Sequence, residues 1–429
     1  GEGEDVLTGG DLADLIEGDA GSDILTGGAG DDVIGGGADN DTGIYERGEV
    51  AGRHATYDGG ADTDTLEVHL TTAEYSSVAM QLDMFALQQF IINQTPGSQF
   101  FSELGIEVSN WENVTLVVDG DPTPILAPLF TQDADIVDFN SVVAGSYIEG
   151  TQYDALAGDD VVTLPIDLAA AVAAGFDPSI VFHGGEGEDV LTGGDLADLI
   201  EGDAGSDILT GGAGDDVIGG GADNDTGIYE RGEVAGRHAT YDGGADTDTL
   251  EVHLTTAEYS SVAMQLDMFA LQQFIINQTP GSQFFSELGI EVSNWENVTL
   301  VVDGDPTPIL APLFTQDADI VDFNSVVAGS YIEGTQYDAL AGDDVVTLPI
   351  DLAAAVAAGF DPSIVFHGGE GEDVLTGGDL ADLIEGDSGS DILTGGAGDD
   401  VIGGGADNDT GIYERGEVAG RHATYDGGA

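Results

Sequence analysis

Cysteine and lysine are absent from this chain of 429 residues, and arginine accounts for all six of its basic residues. Without cysteine no disulfide can stabilise the fold, so stability must come from packing or from bound metal ions. Because phosphate binding needs a basic surface, nucleic acid is excluded as a partner. No apolar run approaches the roughly 18 residues of a membrane span, so no membrane insertion is expected.

Acidic residues dominate the composition instead. The chain has 83 Asp and Glu residues and a formal net charge of −77 at pH 7. A compact chain with this charge repels itself, and its few arginines cannot neutralise it. Metal cations from solution are the obvious counter-charge. The alternative is the solvated acidic surface of a halophilic protein, but these acidic residues follow a fixed period and are not scattered.

The chain is a tandem repeat of one long unit. Gly1–Gly184 recurs as Gly185–Gly368, and a third copy runs from Gly369 to Ala429. The third copy has one substitution, Ser388, where the earlier copies have alanine. Near-identity over this length indicates tandem duplication. Both ends cut through repeated motifs, so we expect a window of a longer, extended array.

Each copy opens with a nine-residue period in which an aspartate is surrounded by glycines. The first copy reads "GGDLADLIE", "GDAGSDILT" and "GGAGDDVIG" from Gly9 to Gly35, and a further motif, "GGADTDTLE", lies at Gly59–Glu67. The candidate metal ligands are the aspartates of this period: Asp5, Asp14, Asp23, Asp32, Asp41, Asp64, Asp189, Asp198, Asp207, Asp216, Asp225, Asp248, Asp373, Asp382, Asp391, Asp400 and Asp409.

The period has a physical explanation in a coil made of two motifs. Glycine tolerates a positive φ and suits a tight turn with exposed carbonyls, and the short segment that follows suffices for a brief strand. Two consecutive motifs complete one coil, and stacked coils bury a thin core. The predicted core residues are Leu7, Ile16, Leu25 and Ile34.

Stacking places the aspartates of alternate motifs on the same edge. Carboxylates about 5 Å apart repel each other by roughly 1 kcal/mol per pair even in water. A hard cation reverses that sign, and calcium accepts six to eight oxygens from carboxylates and backbone carbonyls. The donors here are all oxygen, which argues against zinc. We therefore expect several calcium ions per copy, each between the loops of alternate motifs, such as those of Asp5 and Asp23.

The motifs resemble the repeats-in-toxin (RTX) calcium-binding nonapeptides, G-G-x-G-x-D-x-U-x with U a large apolar residue. "GGEGEDVLT" at Gly184–Thr192 and "GGAGDDVIG" at Gly27–Gly35 match every fixed position. We expect a mostly β fold in which right-handed parallel β-roll blocks alternate with mixed insertions. Gly43 takes the apolar position of its motif, so the motif of Asp41 is expected to end the roll.

The remainder of each copy has a different pattern. Thr71–Asn93 has helical spacing and opens with a capping-box pair, Thr71 and Glu74. A short helix is predicted from Pro165 to Gly175, and Asp135 and Asp160 lie in degenerate nonapeptides. The predicted blocks are residues 1–67, 185–251 and 369–429, and the predicted insertions, which could continue the roll or form separate modules, are residues 68–184 and 252–368.

Nothing in the sequence indicates catalysis. His54, His69 and His183 lack the spacing of zinc ligands or of a catalytic triad. Ser388 lies in "GDSGS", which is similar to a serine-protease loop, but the sister motifs read "GDAGS". No enzymatic activity and no cofactor besides calcium are therefore expected. Arg47 and Arg53 are expected to pair with local acidic residues.

The expected function is that of a calcium-stabilised structural or adhesive repeat protein, forming a bacterial surface fibre or stalk. The resemblance implies secretion through a one-step channel, followed by folding on calcium binding. Two alternatives remain. The chain could be a surface-layer or filament subunit that contacts other copies of itself, or the calcium-binding tail of a secreted hydrolase. The duplication favours a spacer over an enzyme.

Overall fold

The computed structural model describes residues 1–47, 53–231, 237–413 and 422–428. Its contacts divide the chain into two compact units, residues 1–205 and residues 206–429. In both units the described residues form short strands that pair mostly in parallel, with a few helices between them. The expectation of a mostly β, parallel architecture is confirmed.

The first unit contains sixteen strands and three helices within its described residues. The strands are β1 Val6–Thr8, β2 Leu15–Ala20, β3 Ile24–Thr26, β4 Val33–Ala38, β5 Thr42–Glu46, β6 Ala55–Gly60, β7 Thr65–Leu70, β8 Gln99–Phe101, β9 Ile106–Ser109, β10 Asn113–Val118, β11 Asp121–Thr123, β12 Ile136–Asp138, β13 Val161–Thr163, β14 Phe182–Glu186, β15 Val190–Thr192 and β16 Leu199–Ala204. The helices are α1 Thr72–Tyr75, α2 Val78–Ile92 and α3 Leu168–Ala174.

Successive strands of the nonapeptide block alternate between two sheets. One sheet has the order β1-β3-β5-β7-β10-β11, and the other has the order β2-β4-β6-β9-β8. Val6 is in register with Ile24, and Leu15 is in register with Val33. Both pairs are separated by two complete nonapeptide motifs, which is the coil length expected from the sequence.

The core between the two sheets contains the predicted apolar residues. Leu25 and Ile34 are buried, and Leu7 and Ile16 are partly buried against the same cluster. These side chains follow the aspartates at a fixed offset, so in-register pairing places Leu7 beside Leu25 in one sheet and Ile16 beside Ile34 in the other.

The expectation that the motif of Asp41 ends the stack is wrong. Strand β5 contains Gly43 and continues the sheet, pairing with β3 on one side and β7 on the other. The apolar position is filled from elsewhere in the chain, because a Cβ on Gly43 would lie 2.5 Å from Cη2 of Trp111. The indole is buried and donates its Nε1–H to the carbonyl of Tyr57 at 3.1 Å. An aromatic ring from the insertion therefore replaces the missing core residue.

Strands from the segment after β7 extend the same sheets. β9 pairs with β6 and β10 pairs with β7, both in parallel, and the antiparallel strands β8 and β11 complete two hairpins. Further along the chain, β12 pairs in parallel with β13, and β13 pairs in parallel with β15. The segment thus adds strands to the nonapeptide sheets, and the block boundaries expected from the sequence stay predictions.

The helices differ from expectation at their starts. The predicted single helix over Thr71–Asn93 is two helices, α1 and α2, because Ser77 caps a new start by accepting a hydrogen bond from the Met80 amide. The capping box of Thr71 and Glu74 forms as predicted. For α3, Asp167 is the N-cap instead of Pro165, and Gly175 ends the helix in the left-handed region with φ 69°.

Helix α2 packs on the strands through one stripe of apolar residues, and these join the core cluster that contains Leu25 and Ile34. The buried residues of the stripe are Met80, Met84, Leu87, Phe90 and Ile91. Among the described residues, no helix is both long enough and apolar enough to cross a membrane.

The second unit repeats this architecture. Its described strands are β17 Ile208–Thr210, β18 Val217–Ala222, β19 Thr226–Glu230, β20 Ala239–Gly244, β21 Thr249–Leu254, β22 Gln283–Phe285, β23 Ile290–Ser293, β24 Asn297–Val302, β25 Asp305–Thr307, β26 Ile320–Asp322, β27 Val345–Thr347, β28 Phe366–His367, β29 Val374–Thr376, β30 Leu383–Glu385, β31 Ile392–Thr394, β32 Val401–Gly403, β33 Thr410–Ile412 and β34 Thr424–Asp426. Its helices are α4 Thr256–Tyr259, α5 Val262–Ile276 and α6 Leu352–Ala358.

Where consecutive nonapeptide motifs follow one another in this unit, parallel neighbours keep the same spacing. Ile208 is in register with Thr226, and Val374 is in register with Ile392, so each pair is again two motifs apart. The later strands form two stacks, β26-β27-β29-β31-β33 and β28-β30-β32-β34.

Replacing Gly43 by alanine should destabilise the first unit, because the new methyl group would overlap the ring of Trp111. Overpacking of a well-filled core costs about 1–3 kcal/mol. Thermal unfolding in millimolar calcium, followed by tryptophan fluorescence, should therefore begin at a lower temperature. Gly10→Ala is the control, because the nearest atom to a Cβ there is 4.0 Å away. Equal transition temperatures for the two variants would contradict this account of the core.

Candidate metal centre

The aspartates of the nonapeptides lie at the starts of strands, where the register of the sheets stacks them. Asp5 immediately precedes β1, and Asp23 immediately precedes β3. Because β1 and β3 pair in register, the two aspartates occupy equivalent positions in neighbouring coils. The same holds for Asp14 and Asp32, before β2 and β4.

One oxygen of most of the stacked carboxylates is held by the backbone of the preceding coil. The amide of Asp5 donates to Oδ1 of Asp23 at 2.7 Å, and the amide of Asp23 donates to Oδ1 of Asp41 at 2.8 Å. The ladder continues from the Asp41 amide to Oδ1 of Asp64 at 2.7 Å. The amide of Asp14 donates to Oδ1 of Asp32 at 3.0 Å. These bonds fix the orientation of the carboxylates along an edge.

The second oxygen of several of these carboxylates is buried without a hydrogen-bond partner among the described residues. The unpaired atoms include Oδ2 of Asp23, Asp41, Asp64, Asp160, Asp248, Asp344, Asp373, Asp391 and Asp409. A buried carboxylate oxygen without a partner loses its hydration and gains nothing in exchange. A bound cation would compensate such an oxygen.

Beside several nonapeptide carboxylates, glycine keeps open a small space that a backbone carbonyl also faces. A Cβ on Gly184 would lie 2.6 Å from Oδ2 of Asp189 and 2.7 Å from the carbonyl oxygen of Gly202. A Cβ on Gly368 would lie 2.6 Å from Oδ2 of Asp373 and 2.8 Å from the carbonyl oxygen of Gly386. Similar cradles of one carboxylate and one carbonyl occur at Gly9, Gly18, Gly36, Gly220, Gly377 and Gly386.

The donor set of these cradles is chemically specific. Carboxylate and carbonyl oxygens from two coils are the ligands that calcium takes in flexible, oxygen-rich sites. Among the described residues, no three Asp, Glu, His or Cys side chains lie close enough together to hold a metal ion by themselves. The carboxylate and carbonyl oxygens of the nonapeptides are of the donor type that calcium accepts from side chains and backbone together.

Burial raises the pKa of several of these carboxyl groups. In the first unit it raises the pKa of Asp64 and of Asp160 to about 6, although a backbone N–H opposes the effect and neighbouring carboxylates add to it. In the second unit burial raises the pKa of Asp248 and Asp373 to about 6 and that of Asp382 to about 7. Without a cation, the ionised form of these groups is disfavoured in the fold.

The sequence-predicted ligands divide into two sets by burial. Three are partly exposed: Asp5, Asp14 and Asp409. The others are buried: Asp23, Asp32, Asp41, Asp64, Asp189, Asp198, Asp207, Asp216, Asp225, Asp248, Asp373, Asp382, Asp391 and Asp400. Their ligation of calcium stays a prediction. The degenerate motifs join the ladder, because the Asp135 amide donates to Asp160 at 2.6 Å and the Asp160 amide donates to Asp189 at 2.8 Å.

Sequence reasoning missed one member of the ladder. The amide of Asp64 donates to Oε2 of Glu112 at 2.9 Å, so a glutamate extends the edge by one coil. The position of Glu112 could have indicated this role. Glu112 immediately precedes β10, just as Asp64 immediately precedes β7. Asp344 and Asp319, the second-copy equivalents of Asp160 and Asp135, also belong to the stack.

The histidines pair with acidic residues outside these cradles. His54 Nε2 lies 3.0 Å from Glu107, His69 Nε2 lies 3.2 Å from Glu67, and His183 Nδ1 lies 2.9 Å from Asp203. All three imidazoles are partly exposed. Each contact is a local ion pair or hydrogen bond.

Comparison with known families agrees with this arrangement. The family model described as "RTX calcium-binding nonapeptide repeat (4 copies)" matches residues 8–42, 181–195, 192–226, 365–379 and 376–410. These stretches contain most of the stacked aspartates and glycine cradles. The search of curated proteins gives no match for the chain.

The calcium-free chain should gain structure when the pH falls from 7 to 5. The folded-state pKa of Asp64, about 6, lies above the unfolded value of 3.8, so the folded chain holds extra protons. This stabilisation is fully present below the unfolded pKa and is lost as the pH rises through the folded pKa. Circular dichroism in chelator should therefore show more β structure at pH 5, which is above the isoelectric point of about 4.1.

The same pH change in millimolar calcium is the control. Protons then compete with the cation for the same oxygens, so the gain of structure should disappear. If the calcium-free chain lost structure as the pH fell from 7 to 5, the conclusion that burial raises the pKa of these carboxyl groups in the fold would be contradicted.

Proposed function

We propose that this chain, which carries RTX calcium-binding nonapeptide repeats, is a calcium-stabilised spacer in an extracellular repeat protein. The observation that supports it is the repeated cradle in which a buried carboxylate oxygen and a glycine carbonyl of the next coil approach each other. A cation at this position would neutralise the carboxylate and would also bind the carbonyl oxygen. The function follows from what that cation does to the fold.

The nonapeptide residues supply both the need for calcium and its ligands. In the cradle of Gly36, Asp41 would offer Oδ2 and Gly59 would offer its carbonyl oxygen. Calcium, when bound, supplies positive charge that links oxygens of neighbouring coils. Asp23 and Asp41 already hold their carboxylates in place through backbone hydrogen bonds, so little side-chain freedom remains to be lost on binding.

If the fold depends on calcium, its stability differs between compartments that differ in calcium concentration. Extracellular modules bind calcium with dissociation constants of about 10⁻⁴ to 10⁻³ M. A tenfold excess over such a site stabilises the folded state by roughly 1.4 kcal/mol. At submicromolar calcium this contribution vanishes, while the repulsion between stacked carboxylates remains. We propose that the chain stays largely unfolded before export and folds outside the cell.

The repeat pattern supports a mechanical role. Gly1–Gly184 and Gly185–Gly368 are identical, and duplication of this kind lengthens a chain without adding a new chemistry. We therefore propose a stalk or fibre of right-handed β-roll blocks at a bacterial surface, without enzymatic activity. Adhesion would reside in another part of such a protein.

Folding of the full chain should require calcium. Circular dichroism and hydrogen exchange during a calcium titration from chelator to millimolar concentration should show protection of the strands within residues 1–45 appearing with the metal. Magnesium at equal concentration is the control, because it demands stricter octahedral geometry and should leave most of the chain unprotected. Full protection of residues 1–45 in chelator would overturn the proposal.

Two neighbouring glycines should differ in their effect on calcium binding. A Cβ on Gly9 would lie 2.6 Å from Oδ2 of Asp14 and would overlap the carbonyl oxygen of Gly27, whereas a Cβ on Gly10 would have no atom closer than 4.0 Å. Gly9→Ala should therefore lower the number of bound calcium ions by one per chain. Gly10→Ala should leave it unchanged.

Equilibrium dialysis followed by metal analysis measures this difference. The two variants change the same residue type in the same loop, so a general effect of alanine on the turn would appear in both. Equal calcium counts in the two variants would contradict the placement of the ion in the cradle.

A further inference from the structure

The aspartate stack is interrupted at one level in each of the first two copies. Val33 is in register with Thr56, so the residue that follows Asp32 in the stack is Ala55. In the second copy Val217 is in register with Thr240, so Ala239 follows Asp216. The coil after Asp32 or Asp216 therefore brings no carboxylate to this edge.

An arginine lies two residues before each of these alanines, and its guanidinium group is buried. The side chains of Arg53 and Arg237 are 5% exposed. Nη2 of Arg237 lies 3.1 Å from Oδ2 of Asp216, and Nη2 of Arg53 lies 3.6 Å from Oδ2 of Asp32. Each guanidinium thus approaches the carboxylate oxygen that a calcium ion would need.

The remaining partners of each guanidinium are backbone carbonyls. Arg237 donates to the carbonyls of two loop glycines, Gly212 at 2.8 Å and Gly214 at 2.7 Å. It also donates to the carbonyls of Glu230 at 2.6 Å and Arg231 at 2.8 Å. Arg53 makes the same set of bonds, to Gly28, Gly30, Glu46 and Arg47.

The glycine cradle at this level is closed by a tyrosine hydroxyl. A Cβ on Gly27 would lie 2.5 Å from Oδ2 of Asp32 and 2.8 Å from the hydroxyl of Tyr57. At the other cradles the second atom is a backbone carbonyl, whereas here the Tyr57 hydroxyl accepts from the Gly27 amide at 3.3 Å. The ring of Tyr45 also lies 5.6 Å from the guanidinium carbon of Arg53. The Tyr45 ring therefore lies against the cation, and the Tyr57 hydroxyl takes the place of the carbonyl in the cradle.

We propose that Arg53 and Arg237 take the place of a calcium ion at this level of the first and second copies. Four carbonyls and a carboxylate converge on the guanidinium, which is the oxygen-rich set that calcium accepts elsewhere. Since arginine is permanently charged, this level of the stack is neutralised at any calcium concentration. The inference rests on the proposed function, because it assumes that the other cradles bind calcium.

We call the four carbonyls and the carboxylate around each buried guanidinium the arginine cage. Arg47 and Arg231 contribute backbone carbonyls to the cages, but their side chains lie outside and offer a matched control. Arg47 donates to the carbonyl of Glu103 at 2.8 Å and lies 3.7 Å from Glu74. Arg231 makes the equivalent contacts, with the carbonyl of Glu287 at 2.8 Å and with Glu258 at 3.5 Å. Both side chains are roughly a quarter exposed. Their replacement changes the net charge equally and leaves the caged guanidinium in place.

The test compares R53A/R237A with R47A/R231A in the full chain. Removal of the caged guanidinium leaves carbonyls and a carboxylate for calcium, so R53A/R237A should bind one additional ion per replaced arginine at millimolar calcium. Its folding midpoint in a calcium titration should move to a higher concentration. R47A/R231A should keep the wild-type count. An unchanged count in R53A/R237A, measured by equilibrium dialysis, would overturn the proposal.

Two further variants cover a failure of the double variant to fold. The single variant R53A leaves the second copy intact, and a gain of one ion supports the proposal, whereas an unchanged or lower count contradicts it. R53K/R237K keeps a cation in the cage and should bind the wild-type number of ions.

The same measurements separate failure of the proposed function from failure of the arginine inference. Failure of the proposed function would appear in the wild-type chain, which would bind no calcium. Failure of the arginine inference would appear only in the variants, beside a wild-type chain that binds calcium.

Discussion

The stacking of buried carboxylates at the spacing of parallel strands is the constraint on which the rest of the structure depends. In-register pairing places Asp23, Asp41 and Asp64 at one edge, each holding one oxygen on a backbone N–H and aiming the other at the loop interior. No arrangement of the same strands separates these charges, because the coil length fixes their positions. Neutralisation of these carboxylates, by a bound cation or by protons, therefore favours the fold, and glycine leaves space for a cation.

The apolar core contributes to stability separately from the carboxylate stack. A coil of two short strands buries few side chains, and Leu25 and Ile34 alone would leave the core thin. Helix α2 and Trp111 contribute to the same cluster, so the segment between the nonapeptide blocks supplies burial that does not depend on a metal. The two parts share one core, so we expect any ordering of the loops by calcium to be coupled to the packing of the helix.

Much of this organisation could be predicted from the sequence, because periodicity and residue type determine it directly. The two-motif register, the edge positions of the aspartates and the burial of Leu25 and Ile34 follow from the nine-residue period. The filling of Gly43 by Trp111 could not, since it depends on a contact between residues far apart in the chain. The break between α1 and α2 follows from Ser77, whose capping competes with a continuous helix of similar pattern.

The arginine cages lay outside sequence reasoning for a related reason. An isolated Arg53 among acidic residues suggests surface ion pairing, and only the register of the sheets reveals that it stands where an aspartate-bearing loop is missing. A guanidinium and a calcium ion can neutralise the same oxygens. The guanidinium is covalently part of the chain, whereas the occupancy of a calcium site depends on the calcium concentration. In the proposed arrangement, a stack that combines them keeps one level neutralised while the neighbouring levels respond to calcium.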